Sequence, residues 1–167
     1  MTAPLRLVLG LCALLAPSLV VAQAQVPFAG LTIDQAAPVE ITAETLDVDQ
    51  EAGTALFDGD VTVEQGTLLL TADRLRVTYG EDPATGRTRI SLLVAEGNVV
   101  LITPEEEAQA NQAVYDLAEG QLTLTGAVRL EQRGNLLTGD RLVIDLDTGL
   151  GRMDGRVRTI LRPDTRP

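Results

Sequence analysis

Val61-Thr-Val-Glu-Gln-Gly-Thr-Leu-Leu-Leu-Thr-Ala-Asp-Arg-Leu75 returns later in the chain, in ungapped register, as Val128-Arg-Leu-Glu-Gln-Arg-Gly-Asn-Leu-Leu-Thr-Gly-Asp-Arg-Leu142. Both copies alternate aliphatic with polar residues, so each presents one apolar and one wettable face when extended. The two copies belong to a four-fold repeat. Ala43, Ala72, Ala110 and Gly139 each open a strand-like run, and Gly59, Gly97, Gly126 and Gly155 follow them. Three of these intervals are 16 residues; the second is 25 and accommodates the extra Gly80–Gly86 segment, which reads as a loop. Self-similarity of this kind means one supersecondary unit stacked on itself, each copy burying a face it cannot bury alone.

The alternation selects an inward set: Leu46, Val48, Phe57, Val61, Val63, Leu75, Val77, Val99, Leu101, Leu122, Leu124, Val128, Leu130, Leu142 and Ile144. Asp47, Thr62, Arg76, Arg129 and Asp145 interleave with them and face water. Glycines at 53, 59, 66, 97, 120, 126, 134, 149 and 155 are read as turns between about a dozen or more short antiparallel strands, an all-β sandwich, roll or solenoid. Thr103-Pro104-Glu105-Glu106 mimics a helix capping box, which allows one helical turn over 104–109, but the repeat makes Ala110 the opening of a strand.

The first 24 residues read as a secretion leader, cleaved between Ala24 and Gln25. Arg6 supplies the positive start, Leu7 to Val21 the apolar stretch, and Ala22-Gln23-Ala24 the small-residue cleavage site. An uncleaved anchor and lipidation at Cys12 are the alternatives; Leu11 stands before Cys12 where lipidation wants a small residue. Residues 25–38, rich in Ala, Gln and Pro, are expected to be a linker, 39–161 one domain, and 162–167 a frayed tail. The leader is read as ordinary secretion, and the domain after it as soluble. Cys12 is the one cysteine, so a cleaved chain holds itself together without disulfides.

Composition closes several functional routes. The chain has no histidine, and every cationic side chain is arginine. Without His or Cys in the domain, Ser-His-Asp and Cys-His nucleophilic sites and the usual zinc and haem ligand sets cannot be assembled. A net charge of −11, with no basic stripe carrying interleaved aromatics, argues against nucleic acid. Carboxylates alone could make a glycosidase pair. However, Asp73 and Asp140 are repeat-equivalent, as are Glu64 and Glu131, so they read as strand and turn features and not as a unique acid and base. Asp47/Asp49/Glu51, Asp58/Asp60 and Asp145/Asp147 lack an EF-hand pattern. No catalytic residue, metal site or cofactor is expected. Arg74 and Arg141 each follow an Asp, and read either as exposed cross-strand ion pairs or as forks for a phosphate or carboxylate.

Several phrases together resemble the OstA-like/LptA family of periplasmic domains. They are Ile41-Thr-Ala-Glu-Thr-Leu-Asp-Val-Asp49, Ala55-Leu-Phe-Asp-Gly-Asp-Val-Thr-Val63, Leu70-Thr-Ala-Asp-Arg-Leu-Arg-Val77, Ala95-Glu-Gly-Asn-Val99, Ala113-Val-Tyr-Asp-Leu117 and Leu124-Thr-Gly-Ala-Val-Arg-Leu130. The resemblance covers about 39–161. It implies an open antiparallel β-jellyroll that carries lipopolysaccharide without enzymatic chemistry. Lipid A acyl chains would lie inside the roll, with sugars and phosphates outside. It further implies head-to-tail homo-oligomers joined through edge strands, an LptC-like inner-membrane partner and an LptD-like outer-membrane partner. The acidic surface then requires that lipid phosphates stay solvated or meet arginine or divalent cations. The competing expectation is a β-repeat scaffold that polymerises around a filled core and takes no lipid; interior volume separates the two.

Overall fold

The described residues form eleven strands, and six of them are long. A computed structural model describes residues 25–27, 37–82 and 84–162. In chain order the strands are β1 (Gln25–Pro27), β2 (Val39–Thr42), β3 (Thr45–Asp49), β4 (Thr54–Gln65), β5 (Leu68–Glu81), β6 (Thr88–Ile102), β7 (Glu106–Asp116), β8 (Gln121–Gln132), β9 (Asn135–Asp145), β10 (Leu150–Asp154) and β11 (Arg158–Ile160). Among the described residues every regular element is a strand and every pairing is antiparallel. The order is β1-β10-β9-β8-β7-β6-β5-β4-β2, with β3 also on β4 and β11 also on β9.

The strand number comes close to expectation; the strand lengths do not. Gly59, Gly97 and Gly126, read from the sequence as turns, are bulges inside continuous strands. The ladder breaks between Asp58 and Val61, between Glu96 and Val99, and between Thr125 and Val128. At each break two residues of one strand oppose one on its neighbour. Both bulged residues are left-handed: Gly97 has φ +76° and Asn98 +45°, and Gly126 (+84°) with Ala127 (+49°) repeats the pattern. A glycine with positive φ can end a strand or bend it, and the flanking alternation is the same in both cases.

Space explains why glycine stands there. A Cβ on Gly59 would overlap the Glu44 side chain, one on Gly97 the Asp73 carboxylate, one on Gly126 the Asn111 amide, and one on Gly155 the Asp140 carboxylate. The residue after each repeat-opening Ala or Gly therefore lies against the glycine that closes the repeat, which is the physical content of the 16-residue spacing.

The aligned bulges crease the sheet into two halves. One contains β3, 54–58, 74–81, 88–96, 112–116, 121–125, 141–145, β10 and β1; the other contains β2, 61–65, 68–71, 99–102, 106–110, 128–132, 135–139 and β11. One apolar cluster spans both, with Leu75, Leu124, Leu142 and Ile144 from the first half and Val61, Leu101, Val128 and Leu130 from the second. A single sheet thus folds over itself as a jellyroll, its two inner faces sharing one core.

Local features follow the strands. No helical turn forms over 104–109. The Thr103 N–H donates to the Glu106 carbonyl at 2.9 Å, and the Glu106 N–H donates to the Thr103 hydroxyl at 3.1 Å, closing a tight hairpin. The capping-box residues are used, but by a β-turn. Within the stretch expected as linker, Gln25–Pro27 pairs with β10, Gln25 opposite Arg152. The expected leader 1–24, including Ala24 of the cleavage pair, lies outside the described residues, as do 28–36 and 163–167. Arg162 is held by its N–H, which donates to the Asn135 side-chain oxygen at 3.0 Å.

Candidate functional site

Twelve of the fifteen inward candidates are buried: Val61, Val63, Leu75, Val77, Val99, Leu101, Leu122, Leu124, Val128, Leu130, Leu142 and Ile144. Phe57 is half-buried against the same cluster. Leu46 and Val48 are exceptions, 53% and 62% exposed. They pair with Phe57 and Ala55, so they do share the inner face. But β3 is the terminal strand of its half, all five of its residues are exposed, and no described residue closes over it. Register put them on the correct face; coverage depends on what lies opposite, which a local pattern does not encode.

The interior is well filled. An apolar cavity of about 40 Å³ lies between the two halves. Val63, Leu68, Leu70 and Leu101 line it from the second half and Leu75, Leu93, Tyr115 and Leu122 from the first, with Val39 and Gln65 at its edge. That volume takes only a few small groups. Leu68, Leu70, Leu93 and Tyr115 were not among the inward candidates. Leu68-Leu69-Leu70 is an uninterrupted apolar run, in which alternation gives no facing. Burial, then the nearby Asp147 charge, raise the Tyr115 phenol above its ordinary pKa, so it stays a neutral hydroxyl at the cavity wall.

The core also includes small residues outside that set of fifteen: Ala55, Ala72, Ala95, Ala108, Ala110 and Ala113 are all buried. Glu106 is the one buried charged side chain among the described residues. It stands at the end of β7 on the inward register with Ala108 and Ala110, and the Gln132 amide donates to its carboxylate.

Outside, the charged side chains form exposed pairs. The Arg74 guanidinium donates to Asp58 at 2.6 Å across β4 and β5, the structural one of its two readings. Arg141 makes no ion pair with a described residue; it lies in a shallow outer depression with Gln121, Asp145, Arg152 and Asp154. Among the described residues no three acidic, His or Cys side chains lie together as a metal cage.

Exposed large apolar residues concentrate at the two ends of the sheet. Among the described residues Val39, Leu46 and Val48 lie at the β2–β3 end, and Leu150, Val157, Ile160 and Leu161 at the β10–β11 end, while only Tyr79 and Ile102 lie between. Edge strands present unpaired backbone donors and acceptors, and apolar side chains there favour strand addition.

Comparison with known proteins agrees with this architecture. The family model described as LptA/(LptD N-terminal domain) LPS transport protein matches residues 40–150. The chain is 30% identical over 144 residues to an uncharacterized protein of Rhizobium meliloti, covering 82% of this chain and 77% of that one. It is 26% identical to the lipopolysaccharide export system protein LptH of Pseudomonas aeruginosa, over 95% of this chain and 89% of LptH. To Escherichia coli K12 LptA it is 29% identical, over 71% of this chain and 65% of LptA. The crystal structure of P. aeruginosa LptH, described as the LptA-homologous periplasmic component of the lipopolysaccharide transport device, superposes with a TM-score of 0.69 at 18% identity, covering 78% of this chain and 99% of LptH. Taken with the creased antiparallel sheet and its shared apolar interior, the match across residues 40–150 makes this chain a member of the LptA/LptD N-terminal domain family of lipopolysaccharide transport proteins.

Proposed function

We propose that the chain is a non-enzymatic lipopolysaccharide carrier of the periplasm, exported by residues 1–24. In this reading it bridges an LptC-like partner at the inner membrane and an LptD-like partner at the outer membrane, and joins copies of itself head to tail through edge strands. Lipid A acyl chains lie between the inner faces of the two half-sheets, and sugars and phosphates stay in water. The observation that carries this reading is the continuous aliphatic lining shared by both halves, with an apolar cavity between them that Val39 and Gln65 border near the β2 edge. A surface of that composition gains roughly 25 cal/mol per Å² of acyl chain it removes from water. Acyl chains need more room than about 40 Å³, so loading requires the halves to part.

That same small volume favours the second reading, a scaffold with a filled core. A photo-crosslinking amino acid placed in turn at Val63, Leu101 and Leu130 separates the two, with Thr62 and Arg129 as outward controls. Illumination with lipopolysaccharide is expected to give adducts at the inward positions and none at the controls. Absence of adducts from all three, in variants that fold and self-associate normally, would leave the scaffold standing.

A further inference from the structure

Side chains on the inner face of the second half-sheet fall into rows that run across the strands. Val63, Leu70, Leu101, Ala108, Leu130 and Leu137 stand opposite one another from β4 to β9, and that row is wholly apolar. One row further from the crease, at the hairpin tips, the composition changes. Gln65 pairs with Leu68, Thr103 bonds to Glu106 across the hairpin, Glu106 pairs with Gln132, and Gln132 with Asn135. Each lies two residues from a member of the apolar row and so shares its face. Successive rows on one face are about 7 Å apart, so the lining passes from apolar to polar in a single step.

Most of this outer row is neutral and already engaged. The Gln65 amide donates to the Ala37 carbonyl at 3.2 Å, and the Asn135 side-chain oxygen accepts from the Arg162 N–H at 3.0 Å. Glu106 is the one acidic member, and it is 4% exposed. The Thr103–Glu106 turn uses only the backbone of Glu106, so the turn does not require a carboxylate there. A buried carboxylate is costly unless it is held; Gln132 from β8 donates to this one, and Thr103 faces it from β6. The charged groups around it are Glu105 and Glu107 beside it in the chain and Arg133 in the next hairpin. Arg133 donates to Glu105 at 2.7 Å. That bond, then the Glu105 and Glu106 charges, raise its guanidinium above the ordinary arginine pKa. One cation is thus shared by two carboxylates, and the local balance stays negative.

An acyl chain lying along the apolar rows meets this row where its hydrocarbon ends, at the bond to its head group. A carboxylate only accepts hydrogen bonds. A junction with an O–H or N–H group, as in a hydroxyacyl or N-acylated sugar, can donate to it. A junction bearing a phosphate or a free carboxylate brings like charges together where little water screens them.

Given the acyl-carrier reading above, we propose that Glu106 is a specificity-determining residue of the interior, accepting hydrogen bonds from amphiphiles whose chain–head junction bears O–H or N–H donors and excluding those whose junction bears an anion. The class it admits is hydroxyacyl and N-acyl glycolipids. The class it turns away is glycerophospholipids and free fatty acids, which carry their charge beside the acyl carbonyl.

The test uses the full chain, expressed with its own leader and carrying the photo-crosslinking amino acid at Leu130, one row inside Glu106. It is illuminated with lipopolysaccharide, dimyristoylglycerol or dimyristoylphosphatidylglycerol, each in the same non-ionic detergent. The two glycerol lipids have the same chains and differ at the junction, a hydroxyl in one and a phosphodiester in the other. The unaltered chain is expected to give about tenfold or more adduct with dimyristoylglycerol than with dimyristoylphosphatidylglycerol, as like-charge juxtaposition dictates. Glu106→Gln, which keeps the side-chain volume and an acceptor for Gln132, should close most of that gap by gaining phospholipid adducts. Glu107→Gln, which removes an exposed charge one residue away, should leave it. Equal yields from the two glycerol lipids with the unaltered chain would overturn the proposal without any variant. So would a gap that Glu106→Gln preserves or that Glu107→Gln also closes. Loss of adducts with every lipid in Glu106→Gln would make the residue structural and overturn it too. Lipopolysaccharide adducts without a gap between the glycerol lipids refute the selection and leave the carrier standing; no adduct with any of the three refutes both.

Discussion

At the residue scale a bulge glycine and a hairpin-turn glycine separate two costs that usually come mixed. Gly97 has φ +76° and a Cβ there would overlap the Asp73 carboxylate; Gly134 has φ +80°, but its Cβ would meet only the Arg162 side chain at 4.0 Å. Gly134→Ala should therefore cost only the left-handed penalty, about 1–2 kcal/mol. Gly97→Ala adds a clash within a hydrogen-bonded contact, since the Asn98 amide donates to both Asp73 carboxylate oxygens at 2.9 and 3.1 Å. It should cost about 3 kcal/mol in all. Urea unfolding of the two variants measures the difference, and equal losses would show that Asp73 yields freely. The sequence displayed both glycines but gave no sign of which one a carboxylate overlies, because the contact joins residues 24 apart, Asp73 and Gly97.

At the element scale, two of the loops that follow long strands are set by acidic side chains that cap the backbone. The Asp82 carboxylate accepts from the N–H groups of Ala84 and Thr85, both at 2.9 Å, and Asp145 accepts from that of Thr148 at 2.8 Å. These bonds favour the ionised form and hold both carboxyls below their ordinary pKa. A lowered folded-state pKa contributes stability that is complete above the unfolded value, about 3.9 for Asp, and is lost as pH falls through the folded value. Asp145→Asn should therefore weaken the fold at neutral pH and flatten its acid dependence. Thermal melts between neutrality and the acid limb check this, and an unchanged acid slope would count against it. Strand identity was legible because period-two alternation is local. Strand length was not, since a bulge and a turn use the same glycine. Nor was the exposure of Leu46 and Val48, over which no described strand lies.

At the scale of the whole molecule, the two half-sheets have no separate cores. Leu75 and Leu142 from one and Leu101 and Leu130 from the other belong to a single cluster, so neither half retains a buried face if the other leaves. Unfolding should be one cooperative transition. Far-ultraviolet circular dichroism and the fluorescence of the tyrosines should give coincident urea curves, and an earlier transition in the tyrosine signal would reveal a half that opens first. The line of bulges across β4 to β9 has a mechanical consequence. Along it the ladder is already interrupted, and glycine with its left-handed neighbour absorbs the bend. A change in the angle between the covers of such a book, turning on that spine, strains a few backbone torsions and spares the pairing within each cover. Rotation about that axis would make room inside the molecule while leaving the hydrogen-bonded ladders on either side of it intact.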